Sequence, residues 1–135
     1  MTPYSILCAH AGLSHREASD FHKVRPDTIR SWSSGRNRAP QGAIDELINL
    51  INRQEQLAEA ALLRIHALAA ENGAPEFVEL GYPADDYEAQ SIGWPCVGAW
   101  RAMAARVLAK STHPVRLVPR GSTPATAAAI DAREG

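Results

Sequence analysis

Residues 24–40, VRPDTIRSWSSGRNRAP, constrain the fold more than any other stretch of the chain. Pro26 suits the first turn of a helix, where its missing N–H would be unpaired anyway. Ile29 and Trp32 fall three apart on one face, and Gly35 closes the helix because glycine tolerates the left-handed conformation common after helix ends. Two further short helices precede this one. Tyr4, Leu7, Cys8 and Ala11 follow the spacing of a one-sided helix that ends near Gly12. Ser14 and Glu17 form a capping-box pattern ahead of Ala18 and Phe21, which predicts a second helix over by Lys23.

Charge along the chain is uneven. The net charge is -1, yet residues 1–40 hold six basic and three acidic side chains, and the remainder holds eight basic and twelve acidic ones. A basic first third on an acidic remainder suits a module that meets an anion joined to one that does not. With 45% hydrophobic and 21% charged residues over 135 positions, the chain can bury a core. Its apolar runs fall short of the ~18 to 20 residues a membrane helix needs, and its start has neither the basic segment nor the apolar core of a signal peptide. The expectation is a cytoplasmic protein with no membrane partner. Cys8 and Cys96 have no metal or redox spacing and are expected to pack as small apolar residues. The five histidines, His10, His15, His22, His66 and His113, lack ligand spacing and are read as surface or boundary residues, so neither a metal nor another cofactor is expected.

Beyond Pro40, the run QGAIDELINLINRQEQLAEAALLRIHALAAEN has a long helical pattern. Ile44, Leu47, Ile48 and Ile51 form a stripe that Ala58, Leu62, Ile65 and Ala69 resume, and the polar Gln54 and Glu55 between them suggest a bend or break. Asn72, Gly73 and Pro75 end the pattern. Residues 76–80, EFVEL, read as a short strand, GYPADDYEAQSIG as a turn-rich loop, and residues 115–119, VRLVP, as a second strand that could pair with the first. A last helix is expected from Trp94 and Pro95, with Val97, Trp100, Ala104, Val107 and Leu108 on one side. The fold expected is mostly α: an N-terminal helix-turn-helix bundle over residues 1–54, a C-terminal helical dimerisation region with a small two-stranded sheet over 55–120, and a flexible tail over 121–135.

A helix-turn-helix braces its second helix across the phosphate backbone and lays its third in the major groove. Ala18, Phe21, Val24, Ile29 and Trp32 would then hold the third helix on its scaffold. The opposite face carries Pro26, Asp27, Arg30 and Ser31, with Arg25 and Thr28 at its edge. Arg30 can offer a bidentate fork to guanine, Ser31 can donate or accept, and Asp27 could accept from cytosine but would repel a phosphate. Arg36 and Arg38 are better placed for phosphates, where they set affinity and register. Thr28 is open to two uses, a DNA contact or a cap of the first turn through its hydroxyl.

Ala18, Phe21, Val24, Thr28, Ile29, Trp32, Ser34, Gly35 and Pro40 together resemble the phage-repressor-like, XRE/Cro type helix-turn-helix pattern over roughly residues 2–53. Two departures stand out: His22 occupies the turn position usually filled by glycine, and one additional residue separates Ala18 from Ile29. The longer turn, followed by a long helix, a strand and a tryptophan-containing helix, looks like a smaller group, the YdiL-like proteins and anti-CRISPR-associated repressors. That resemblance implies a homodimer, formed by the C-terminal part, that binds an inverted repeat in double-stranded DNA and represses its own operon. It carries base-facing roles to Pro26, Asp27 and Ser31, to which helix geometry adds Arg30; Arg25, Thr28, Ser34, Arg36 and Arg38 are expected to meet the DNA backbone. Proline at position 26 offers at most an apolar contact with a thymine methyl.

Trp94, Trp100 and Met103, with Val97, Val107, Leu62 and Ile65, read as the core of the C-terminal region, and part of the same apolar surface could form an isologous dimer interface. Two other functions fit the same features. One is an antitoxin-like module that neutralises a protein partner while the helix-turn-helix regulates its operon. The other is RNA binding by the basic helix. An enzyme is not expected, because Asp85 and Asp86 are joined by no nucleophile, phosphate loop or second polar cluster.

Overall fold

The computed structural model describes residues 1–71 and 76–121. Each of the first three helices begins on a local signal. In α1 (Pro3–Ala11), Thr2 and Ser5 form a reciprocal capping box and Pro3 takes the first turn. In α2 (His15–His22), Ser14 and Glu17 form the expected capping box. α3 (Pro26–Ser34) starts on Pro26 after Arg25 and stops at Gly35, whose φ of 85° is left-handed. Lys23, between α2 and α3, is also left-handed at φ 59° and is the non-glycine residue that carries the sharp turn. The left-handed conformation thus falls one position beyond His22, as the additional residue in this turn requires.

α4 (Gln41–Glu71) runs unbroken for 31 residues, about 46 Å at 1.5 Å per residue. The bend or break expected at Gln54 and Glu55 is not there. Gln54 is instead fully buried, and its amide nitrogen donates to Ala11 O at 2.9 Å and Ala99 O at 3.0 Å. A polar residue interrupts the stripe because three helices meet there and its amide reaches two backbone carbonyls, of which Ala11 O at the end of α1 has no later turn to bond. The expected boundary between residues 54 and 55 therefore lies inside a continuous helix, and one cluster of buried residues runs across it from Tyr4 to Val107.

After α4, β1 (Val78–Tyr82), α5 (Asp86–Ser91), α6 (Val97–Lys110) and β2 (Val115–Pro119) complete the described chain. The two strands pair, and they do so in parallel, with Val78 opposite Val115 and Tyr82 opposite Pro119, β1 lying two residues beyond the expected 76–80. Parallel strands need a long crossover, and α5 with α6 supplies it. The stretch expected as a plain loop thus contains α5, which Asp85 starts by accepting from Glu88 N at 2.8 Å while the Glu88 carboxylate accepts from Ala84 N at 3.1 Å. Asp86 accepts from Val97 N at 2.9 Å and caps the next helix. Accordingly α6 begins at Val97, not at Trp94 and Pro95. The resulting fold is mostly helical with a small two-stranded sheet. The tail from 122 onward lies outside the described residues.

The two halves of the chain meet at Gly12 and Gly98. A side-chain carbon on either would overlap the other's backbone carbonyl, so the end of α1 reaches the start of α6 only with glycine at both positions. Ile65, Trp100, Met103 and Val107 are buried in the shared core, and Leu62 and Val97 pack against it half-buried. No helix of the described residues is long and apolar enough to cross a membrane.

Candidate nucleic-acid interface

The scaffold beneath α3 is well packed. Ala18 and Ile29 are completely buried, while Phe21, Val24 and Trp32 pack half-buried against the same cluster. Ser19, itself 6% exposed, donates its hydroxyl to Val24 O at 2.6 Å and locks the turn into α3. His22 is the residue whose place differs most from expectation. Its sequence context points to the surface or its boundary, yet its side chain is 1% exposed and its Nδ1 lies 3.2 Å from Glu46 Oε1 of α4. Its ring centroid sits 5.0 Å from Phe21 and 5.8 Å from both Tyr4 and Trp32. An imidazole in this aromatic cluster fills the corner where α1, α2 and α3 join.

α3 presents a different surface outward. Arg25, Pro26, Asp27, Arg30 and Ser34 are exposed, as are Arg36 and Arg38 beyond its end. Arg30 and Asp27 form an ion pair one turn apart, both more than half exposed. Such a surface pair contributes about 0.3 to 0.5 kcal/mol, little enough for the guanidinium to exchange partners. Arg25, Arg36 and Arg38 have no acidic partner among the described residues. Asp27, Arg30, Ser31, Ser34 and Arg36 line a shallow depression of about 470 Å³ on this face.

Ser31 lines this depression but is not exposed like its neighbours. It is 4% exposed, and its hydroxyl accepts from Asn37 Nδ2 at 2.6 Å. Asn37 N also donates to Ser31 O at 3.3 Å, so the segment after Gly35 folds back over this position and covers it. Ser34 joins the same arrangement, donating to Ser31 O at 3.2 Å and accepting from Arg36 N at 3.3 Å. Ser31, which is buried, and Ser34, which is exposed, therefore both position the arginine-bearing loop. Asn37 has an equal part in that loop, and only its place between Arg36 and Arg38 in the sequence hinted at it. Thr28, half-buried, donates its backbone N–H to Arg25 O, and the N-terminus of α3 has no side-chain cap bond, so the capping use of its hydroxyl is not realised.

The remaining chemically reactive side chains are arranged for packing. Cys8 and Cys96 are buried and unpaired, and burial pushes the Cys96 thiol up to about 11 and raises that of Cys8. No cluster of histidine, cysteine or acidic residues able to hold a metal occurs among the described residues. Arg106 donates to Glu55 Oε1 at 2.8 Å and reaches His10 Nε2 at 2.7 Å, and its guanidinium holds the Glu55 carboxyl below the usual carboxylate range. In comparisons with known proteins the chain matches no family model and no curated sequence.

Proposed function

We propose that the protein is a sequence-specific DNA-binding transcription regulator. In this reading it acts in the cytoplasm as a homodimer that binds an inverted repeat and represses its own operon, in the manner of the phage-repressor-like and anti-CRISPR-associated repressors it resembles. The observation that carries the reading is the two-sidedness of α3, with Ile29 fully buried beneath it and Pro26, Asp27 and Arg30 exposed above it.

A helix in the major groove can use Arg30 on the acceptor edge of a guanine and Pro26 against a thymine methyl. Asp27 holds Arg30 in the free protein and repels phosphates, which penalises docking out of register. Arg25, Arg36 and Arg38 bracket the helix and are free to neutralise phosphates, with Thr28 at the edge. Ile65, Trp100, Met103 and Val107 are committed to the protomer's own core. A second copy would then meet surface groups of the C-terminal part, where Leu63, Leu108 and Leu117 are exposed large apolar side chains. Two tethered copies on half-sites about one helical turn apart gain affinity and selectivity that one domain lacks.

Binding measured against a panel of duplexes over a range of salt tests the division of labour. Arg30→Ala should cost about 1 to 3 kcal/mol on the preferred duplex and narrow the gap between preferred and unrelated sequences. Arg36→Ala and Arg38→Ala should weaken all duplexes alike and lower the salt slope by about one unit for each phosphate no longer neutralised. Unchanged sequence preference in Arg30→Ala would remove that residue from the reading face.

A further inference from the structure

We propose that the cleft between α1, the end of α3 and the start of α4 is a binding site for a small amphipathic carboxylate. The cleft has a volume of about 330 Å³, inside the range of roughly 300 to 1,000 Å³ typical of small-molecule sites. Leu7, Trp32 and Ile44 supply apolar wall, and Asn37, Arg38 and Gln41 supply polar groups. Arg38 is the one charged residue that lines it, and no acidic side chain among the described residues pairs with it. An apolar body with a single negative charge at one end matches this lining, whereas a cation or a polyanion does not.

The site adjoins a clasp that ties α1 to α3. The Thr2 hydroxyl accepts from Ser5 N at 3.1 Å while lying 3.2 Å from Ser33 O and 3.4 Å from Trp32 O, to which it can donate. Asn37 is already bound to Ser31 and Gln41 donates to Asp45 Oδ1 at 2.9 Å, so Arg38 is the group free to turn toward an occupant. A carboxylate seated here engages the same loop that carries Arg36 and Arg38. Whether the cleft binds is independent of the proposed DNA reading, because the binding is measured without DNA.

Hydrocinnamate, which has one aromatic ring and one carboxylate, is the probe, and hydrocinnamyl alcohol is its neutral counterpart. Titration of the full chain, followed by the indole N–H signals of its tryptophans, should move Trp32 saturably and leave Trp94 and Trp100 in place. The carboxylate should bind about tenfold more tightly than the alcohol, the value of a charge-assisted hydrogen bond at a partly exposed site. Arg38→Gln should erase that difference, and Gln41→Glu, an exposed change that leaves Arg38 intact, should weaken the carboxylate and spare the alcohol. No saturable shift at Trp32, equal binding of acid and alcohol, or an undiminished preference in Arg38→Gln would each overturn the proposal.

Discussion

Replacing Gln54 by leucine should destabilise the protein by about 2 kcal/mol although leucine keeps the volume and suits the surrounding core. The side chain is fully buried at the junction of α1, α4 and α6, with its nitrogen bonded to Ala11 O and Ala99 O. Ala11 ends α1, so its carbonyl has no later turn of that helix to bond, and stranding it costs about 1 to 3 kcal/mol. Ala99 lies in the first turn of α6, where the helix's own ladder also serves its carbonyl, so the loss there is nearer the ~0.5 to 1.5 kcal/mol net value of a hydrogen bond. Some of this is offset, because Gln54 Oε1 is buried without a partner and its removal relieves that desolvation. Urea unfolding measures the result. With a slope of roughly 1 to 3 kcal/mol per molar, the midpoint should fall by about 1 M. Tryptophan fluorescence and far-UV circular dichroism should shift together, since α4 carries both halves of the core. Gln54→Ala should cost more, because it adds a cavity. An unchanged or raised midpoint in Gln54→Leu would refute the role assigned to this amide, and a shift in one probe alone would refute the single cooperative unit.

Other perturbations test separate parts of the structure. Gly98→Ala pushes a side-chain carbon into the Gly12 carbonyl and should lower stability by about 1 to 3 kcal/mol, read as a fall in Tm. Lys23→Gly should raise stability by about 0.5 to 1 kcal/mol in the same assay, since glycine accepts the left-handed turn at less cost than lysine. Glu55 has its carboxyl held below the usual range by Arg106, so its ion pair stabilises the fold above the ordinary carboxylate pKa and is lost as pH falls through the lowered value. Glu55→Gln should therefore flatten the acid limb of a Tm against pH profile and leave Tm least different from wild type at the lowest pH.

The first three helices were legible because each carries its own signal: the apolar spacing from Tyr4 to Ala11 with Gly12 after it, Ser14 and Glu17, Pro26 and Gly35. The inward placement of Ala18, Ile29 and Trp32 followed from helical spacing alone. α5 was missed although Asp85 and Glu88 have capping-box spacing, because glycine, proline and two adjacent aspartates read more strongly as a turn. Gln54 looked like an interruption because a polar residue in an apolar stripe means a break unless distant carbonyls need it, and those belong to α1 and α6. Ser31 was placed outward by helix geometry that could not anticipate the segment around Asn37 folding back over it. His22 was similarly invisible as an interior residue, since its aromatic surroundings come from α1 and α3 and its acidic neighbour, Glu46, from α4. The arginines that frame α3 were legible in number and position, and their freedom from acidic partners emerged only with the fold.

The most direct test of the proposed function is a gel-shift titration with duplex DNA from just upstream of the protein's own gene, set against a scrambled duplex and an RNA copy at two salt concentrations. The account predicts tight binding that favours the native duplex and keeps that preference at the higher salt, because base contacts made by α3 survive the screening that weakens phosphate contacts. Equal and salt-sensitive binding to every duplex, preference for the RNA, or no binding at all would contradict it.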